Sequence, residues 1–550
     1  MKLPLLFLFL GLTPSLPPAD GILYDHTAYT GCKLEPEGPL YNGGILPFED
    51  TQLIKPTPMS IATRDIVSPF LTFHNLSSVT IYCFSTWVRL EGASTMVVTA
   101  TLTTEDQPEE CVGTVVAHRG CWSFLKGGFV LESSHNSSIL YFQSSGDERS
   151  TVEISSTSLQ PFTADEWRAN QQLVIDEERK RQVIIQVTDS EGTRLEDANV
   201  TVSQVATEFP FGSAIAETIL HNPLYQEWFV KRFNAAVFEN ELKWDATEPE
   251  QGRVNYSAAD QMLQFVKKNK ITARGHNIFW ENPKYTPRWV ANLTGPELAS
   301  AVVSRILSLM SKYKGEFIHW DVSNEMLHFD FYEKRLGSDV SLFFYQTAHK
   351  TDPLATLFLN EFNLVETCTD PNATADALIA KIKDLERGGA TAEGIGLEGH
   401  FSKPNPPLIR AVLDKLGTLR LPIWLTEVDI SHKFDQHTQA IYLEQVLREA
   451  FSHPAVNGIM LWTALHPRGC YQMCLTDNNL QSLPSGNVVD KLLNQWKTST
   501  LFGQTDEHGS YSFRGVLGDY VVNVATDNRT ANPLLYLSKG QETKHFTIQL

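Results

Sequence analysis

Residues 317–325 read FIHWDVSNE and residues 421–430 read LPIWLTEVDI. Each is a short apolar run that stops on a carboxylate, Glu325 in one and Glu427 in the other. Six more runs have the same texture: FPFGSAI, FNAAVFEN, ITARGHNIFW, TLFLNEFN, GIGLEGHF and GIMLWTAL. Amphipathic stretches such as SAADQMLQFVKKN, GPELASAVVSRILSLMSKY and HTQAIYLEQVLREAF separate them. Apolar runs alternating with helical stretches predict a parallel sheet with crossover helices. Eight such units are what a (β/α)8 TIM barrel needs, and the expected barrel spans residues 207–497.

In that architecture the C-terminal ends of the strands form the mouth where a site is built. The polar residues at those ends are therefore the informative ones. Strand two ends on Glu239-Asn240, with Lys243 just beyond. Strand three carries His276 and ends at Trp280, and strand four ends on Asn324-Glu325. Strand six ends Glu398-Gly399-His400, strand seven Thr426-Glu427-Val428-Asp429, and strand eight presents Trp462. A single glutamate at a strand end is often only solvated, and a single tryptophan is more often core than platform. Their spread over six strand ends argues for a site. Two carboxyls facing each other beside aromatic faces suit glycoside hydrolysis. One keeps a proton for the leaving oxygen, and the other attacks the anomeric carbon.

The chain has 550 residues, too many for one hydrophobic core, and a formal net charge of −19 with no basic tract. That balance excludes a nucleic-acid partner. Lys2, the apolar run Leu3 to Leu12, a Pro-rich stretch and Ala19-Asp20 form a secretory signal pattern over residues 1–20, too short for a membrane span. No other long apolar run follows, so the expected product is exported and free of the membrane. Asn75, Asn136, Asn199, Asn255, Asn292, Asn372 and Asn528 each open an Asn-X-Ser/Thr acceptor, as in a secreted glycoprotein. The cysteines are Cys32, Cys83, Cys111, Cys121, Cys368, Cys470 and Cys474, an odd count that leaves at least one without an internal partner. Cys470 and Cys474 are near enough in sequence to staple one loop. No zinc-type spacing and no glycine-rich phosphate loop occurs, so neither metal nor organic cofactor is expected.

Residues 21–180 read as short β runs separated by turns, the pattern of a sandwich, with a charged helical stretch over 166–182. That stretch is either a linker helix or a solvated surface helix. Residues 181–206 and 498–550 are each marginal alone but together read as one small β-sandwich into which the barrel is inserted.

WDVSNE and WLTEVDI resemble the two active-site strands of family-10 glycoside hydrolases, the endo-1,4-β-xylanases. FENELKWDATEPEQG, ARGHNIFW and GIGLEGHF extend the resemblance from residue 209 to about 497 in the family's order. FWENPKYTPRWV and GCYQMCLTDNN are similar to the plant, cell-wall members. The resemblance implies a secreted cell-wall enzyme acting on xylan or arabinoxylan, expected to be a monomer. It implies that Glu325 is the general acid/base and Glu427 the nucleophile of a retaining mechanism, with carboxyls roughly 5–5.5 Å apart. It assigns Asn324 to the sugar 2-hydroxyl, His400 to orienting the nucleophile, and Glu239, Asn240 and Lys243 to subsites on the non-reducing side. His276 and Trp280 would touch the reacting xylose, Trp462 would stack, and Asp429 would support the nucleophile. Three positions depart from the family. Glu398 stands where Gln is usual, and a third carboxylate there tends to raise a neighbour's pKa. LHPRGCY replaces the stretch holding a second tryptophan after the last strand, and Asn360-Glu361 ends strand five where Asp is common second. Alternative readings are a non-catalytic xylan-binding wall protein, a xylan transglycosylase or another retaining β-glycanase.

IYCFSTWVRL and GCWSFLKGGF resemble a family-22 carbohydrate-binding module of jelly-roll form. Gln143 stands where the family often has an acid, and VEISSTSL lacks an aromatic and an acid often found there. Trp87, Trp122 and Tyr141 are either stacking residues or sandwich core.

Overall fold

In the computed structural model, which describes residues 21–61, 64–104, 109–144 and 150–550, the eight runs form one parallel sheet. The expected signal, residues 1–20, lies outside the described residues. The strands are β1 (Phe211–Ile215), β2 (Ala235–Phe238), β3 (Thr272–Arg274), β4 (His319–Asp321), β5 (Thr356–Glu361), β6 (Gly394–Phe401), β7 (Ile423–Ile430) and β8 (Val456–Leu461). Their order is β3-β2-β1-β8-β7-β6-β5-β4. A parallel bridge between Gly275 and Trp320 closes the ring, and short continuations at Phe279–Trp280 and Ser323–Asn324 pair with one another. This is a (β/α)8 barrel. Every residue of β7 is buried, as parallel strands covered on both faces require. The surrounding helices turn one stripe inward; on Gly295–Lys312 the buried residues include Leu298, Val302, Ile306 and Leu309, at three- and four-residue spacing.

Strand three differs from its expectation as one continuous run. It breaks after Arg274 and resumes at Phe279. Gly275 sits where a Cβ would lie 2.3 Å from the Trp320 indole, so the chain crosses that ring only as glycine. His276 falls in the break and points its ring into the mouth.

Ahead of the barrel lie two antiparallel sheets. One has Phe70–Leu76, His135–Ser144, Thr95–Thr104 and Glu110–His118 in that order, and the other has Ser123–Val130, Thr80–Glu91 and Thr151–Thr163. Phe84, Val88, Val98, Val115, Leu140 and Ile154 belong to the one apolar cluster that they share. Trp87 and Tyr141 are 0% exposed and Trp122 5%, which settles all three as core and not as stacking faces.

The helix expected over 166–182 runs instead from Ala164 to Glu178. Thr163 and Glu166 close a capping box at its start. It ends because Arg179 is drawn under the barrel, donating to the carbonyls of Phe451, His453 and Val456, and Lys180–Thr188 is already strand. The helix is not solvated all round: Trp167 Nε1 and Gln171 Nε2 donate to the buried carboxylate of Glu449 on a barrel helix.

Lys180–Thr188 pairs with Ser510–Val516 and Lys544–Gln549, while Asn199–Thr207 pairs with Leu501–Gln504 and Gly518–Ala525. Val183, Ile185, Val200 and Val202 share one cluster with Phe513, Tyr520, Val522 and Ile548. Disulfides join Cys32–Cys121, Cys111–Cys368 and Cys470–Cys474, and Cys83 is buried and unpaired.

Candidate active site

A bulge brings Glu427 to the mouth. Leu397 pairs with Leu425 but Glu398 with Glu427, so Thr426 is an extra residue on β7. Such a bulge re-aims side chains locally. Thr426 Oγ1 donates to Asn360 Oδ1 at 2.6 Å, which fixes the orientation of the Asn360 amide. Its Nδ2 then lies 2.9 Å from Asn324 Oδ1 and 3.1 Å from both Glu398 Oε1 and Glu427 Oε1. Gly396 on β6 makes room for this side chain, since a Cβ there would lie 2.2 Å from Asn360 Oδ1. Asn360 has no role among the sequence expectations, yet it ties three strand ends together. Its position on the apolar run TLFLNEFN is the one signal for it.

Glu325 follows the last paired residue of strand four. Its N–H donates to Asn360 O at 3.0 Å, and its φ of 60° turns the chain off the strand. A non-glycine residue in that region is uncommon and is frequent at functional sites. Burial pushes its pKa up to about 8, and the carboxylates of Glu361 and Glu427 add to that. Glu427 behaves oppositely. Burial opposes its ionisation, but His400, His276 and Lys243 outweigh burial and hold it at about 2. His400 Nε2 lies 3.5 Å from Glu427 Oε2 and His276 Nδ1 3.9 Å from Oε1.

His400 is held by Asp429, whose Oδ1 is 3.0 Å from Nδ1. Burial works against the imidazolium, yet Asp429 and Glu427 raise its pKa well above the ordinary histidine range. Glu398 is raised as well: burial, then the Glu427 and Glu325 charges, push its pKa well above the ordinary value. The third carboxyl therefore takes the raised pKa itself, while Glu427 stays low. Glu398, His400 and Glu427 place three potential ligand atoms within 4.8 Å.

On the other side of Glu427 stands a polar and aromatic box. Lys243 Nζ donates to Asn240 Oδ1 at 2.9 Å and lies 4.8 Å from the Trp280 ring and 5.8 Å from Trp462. His276 meets Trp462 edge-on at 5.5 Å and Trp280 at 5.9 Å. Asp321 orients His276 through Oδ2 at 2.8 Å and binds Arg274 through Oδ1 at 2.6 Å. Glu239 is partly buried, which raises its pKa, and its Oε2 has no protein partner. Asn324 Nδ2 and His276 Nε2 are likewise buried and unpartnered. Buried polar atoms without partners carry a cost of about 1–3 kcal/mol each unless a ligand or water meets them. Their gathering at one mouth leaves several hydrogen-bonding atoms open to a polar ligand. Asp321 and His328, which lies beyond Glu325, are further site residues that the sequence does not single out.

Residues 201–480 match the model of glycosyl hydrolase family 10. The chain belongs to that family. This family-10 chain is 37% identical over 455 residues to endo-1,4-beta-xylanase 5 of Arabidopsis thaliana, a match covering 81% of the chain and 79% of the relative. It is 35% identical to endo-1,4-beta-xylanase 4 of the same plant, over 87% and 83% of the two chains. Among solved structures, xylanase 10B from Thermotoga petrophila RKU-1 in complex with xylobiose aligns with a TM-score of 0.47 and 24% identity, over 52% of this chain and 94% of that one. The protein is thus a glycoside hydrolase with its two buried carboxyls at the mouth of a family-10 barrel.

Proposed function

We propose that the protein is a secreted, retaining endo-1,4-β-xylanase. One observation carries the mechanism: the two buried carboxyls, one just past β4 and one on β7, have opposite environments, Glu325 raised to about 8 and Glu427 lowered to about 2. Pairs of carboxyls driven apart in this way divide into acid and nucleophile. Glu427 attacks the anomeric carbon as Glu325 gives its proton to the leaving oxygen. The bond from carbon to leaving oxygen breaks and a glycosyl ester forms on Glu427. Glu325, now ionised, takes a proton from water, and the hydroxide displaces Glu427 with net retention. The names of the Arabidopsis relatives support xylan as the substrate. The box of Lys243, His276, Trp280 and Trp462 would hold the sugars on the non-reducing side.

Export is supported by the three disulfides and by the seven acceptor asparagines, all of which are exposed. Among the described residues no helix is long and apolar enough to cross a membrane. The two N-terminal sheets fit a family-22-like carbohydrate-binding fold, although its three most conspicuous aromatics are core and would not stack on sugar.

The test is reducing-end release from arabinoxylan by wild type, Glu325→Gln and Glu427→Gln. Both substitutions are expected to lower kcat by about 10²–10⁴-fold or more. Wild type that binds xylan yet releases nothing over a broad pH range would establish a binding protein instead. Product anomers read by NMR decide retention.

A further inference from the structure

Glu427 has two flanks, and the assigned sugar contacts lie on only one of them. Its Oε1 faces Asn360 and His276, and beyond them the box of Lys243, Trp280 and Trp462. Its Oε2 faces His400. The ring of Tyr471 lies edge-on to His400, with centroids 5.1 Å apart and planes at 73°. Tyr471 is 61% exposed although both its neighbours are fixed. Cys470 is bonded to Cys474, and its N–H donates to Cys474 Sγ at 3.3 Å. Gln472 Oε1 accepts from the His432 N–H at 3.1 Å, and Gln439 Nε2 donates to Gln472 O at 3.4 Å. Met473 is buried beneath the loop. A short, disulfide-closed loop thus holds a bare phenol ring beside the imidazole that touches the nucleophile.

We propose that Tyr471 is the stacking platform for the sugar on the leaving-group side of the cut, and so selects the aglycone. The proposal rests on the endo-xylanase reading, which places the non-reducing-side sugars in the Lys243 box and leaves the opposite flank for the departing chain. A xylosyl ring offers a C–H face to an aromatic ring and hydroxyls to water at its rim. A large amphipathic ring with few rotatable bonds suits that role. The loop closure between Cys470 and Cys474 reduces the ordering needed when the sugar arrives.

The test compares Tyr471→Ala and Tyr471→Phe with wild type on two substrates. Xylotetraose must place sugar on the leaving-group flank, whereas β-xylobiosyl fluoride expels an ion with no ring to stack. Tyr471→Ala is expected to lose at least about tenfold in kcat/KM on xylotetraose, one stacked sugar's worth, and to stay within about twofold on the fluoride. Tyr471→Phe should follow wild type on both. Equal losses on both substrates, or no loss on either, would overturn the proposal. Wild type inactive on both would instead remove the xylanase reading and this inference with it.

Discussion

Asn360 is the residue that links the Glu325 and Glu427 strand ends. It accepts from Thr426, gives its amide to Asn324, Glu398 and Glu427, and receives the Glu325 N–H on its main-chain carbonyl. On the proposed mechanism, the pH dependence of kcat/KM follows from the pair it links. Glu427 must be ionised, so activity is present above its pKa and falls as pH drops through about 2. Glu325 must be protonated, so activity is lost as pH rises through about 8. The limbs report the coupled pair and not two isolated groups. Asn360→Ala withdraws a charge-assisted donor from Glu427, worth about 1.5–3 kcal/mol, which is about a tenfold to hundredfold loss of kcat/KM. It also raises the Glu427 pKa, so the acid limb should move to higher pH. An unchanged acid limb would assign the low pKa to His400, His276 and Lys243 alone. In the sequence, Glu325 and Glu427 were legible because each ends an apolar run. Asn360 was not, because an amide within a buried run shows its role only when its four partners surround it.

At the scale of the element, the segment just past β4 has its own polar scaffold. The turn at Glu325 brings Leu327 N–H to Glu361 Oε2 at 2.7 Å and sets His328 between two carboxylates, Glu361 at 2.7 Å and Asp370 at 2.9 Å. His328 also stacks on Phe362 at 3.8 Å. Partial burial opposes its charge, but the two carboxylates raise its pKa to about 9, so it remains a cation through neutral pH. That cation lowers the Glu325 pKa. His328→Gln should therefore move the alkaline limb of activity upward. It should also destabilise the fold by about 1–3 kcal/mol, because buried Glu361 loses its cationic partner. A variant with both limb and denaturation midpoint unchanged would show that His328 is only a surface contact. The alternation of apolar runs and amphipathic helices made the barrel strands readable. The break in strand three and the bulge at Thr426 were not readable, since each answers to a neighbour distant in sequence: the Trp320 indole in the first case, the β6 register in the second.

Across the whole molecule, the N-terminal sheets are fastened to the barrel by a buried charge. Asp414, on a barrel helix, receives the Tyr24 hydroxyl at 2.8 Å and Lys126 Nζ at 2.7 Å. His26 Nδ1 lies 2.6 Å and His453 Nε2 3.1 Å from its other oxygen. The ammonium of Lys126 supplies a cationic partner for the buried Asp414 carboxylate. The disulfide Cys111–Cys368 ties the same two parts covalently. Seven cysteines announce pairing but not this pairing, and nothing in the sequence around Asp414 distinguishes it from a solvated helix acid.

That seam carries a pH dependence of its own. His453 Nδ1 accepts the Ala455 N–H at 3.2 Å while Nε2 faces Asp414, so the neutral ring already uses both nitrogens. Burial, opposed by Asp414 and reinforced by His26 and Arg410, lowers its pKa from 6.5 to about 4. In the unfolded chain the imidazole takes a proton near 6.5, whereas in the fold it resists until about 4. The stabilising difference is thus complete above 6.5, shrinks as pH falls through that window, and is lost below it. The window corresponds to about 3 kcal/mol at 1.36 kcal/mol per pH unit. Buried His319, also lowered by burial, adds acid sensitivity inside the barrel, so the wild-type curve alone does not isolate the seam. The difference between wild type and His453→Gln does. Glutamine still donates to Asp414 but does not titrate, so the denaturant stability of the two proteins should converge by about 3 kcal/mol between pH 6.5 and 4. Parallel curves over that range would place the acid sensitivity entirely in the barrel.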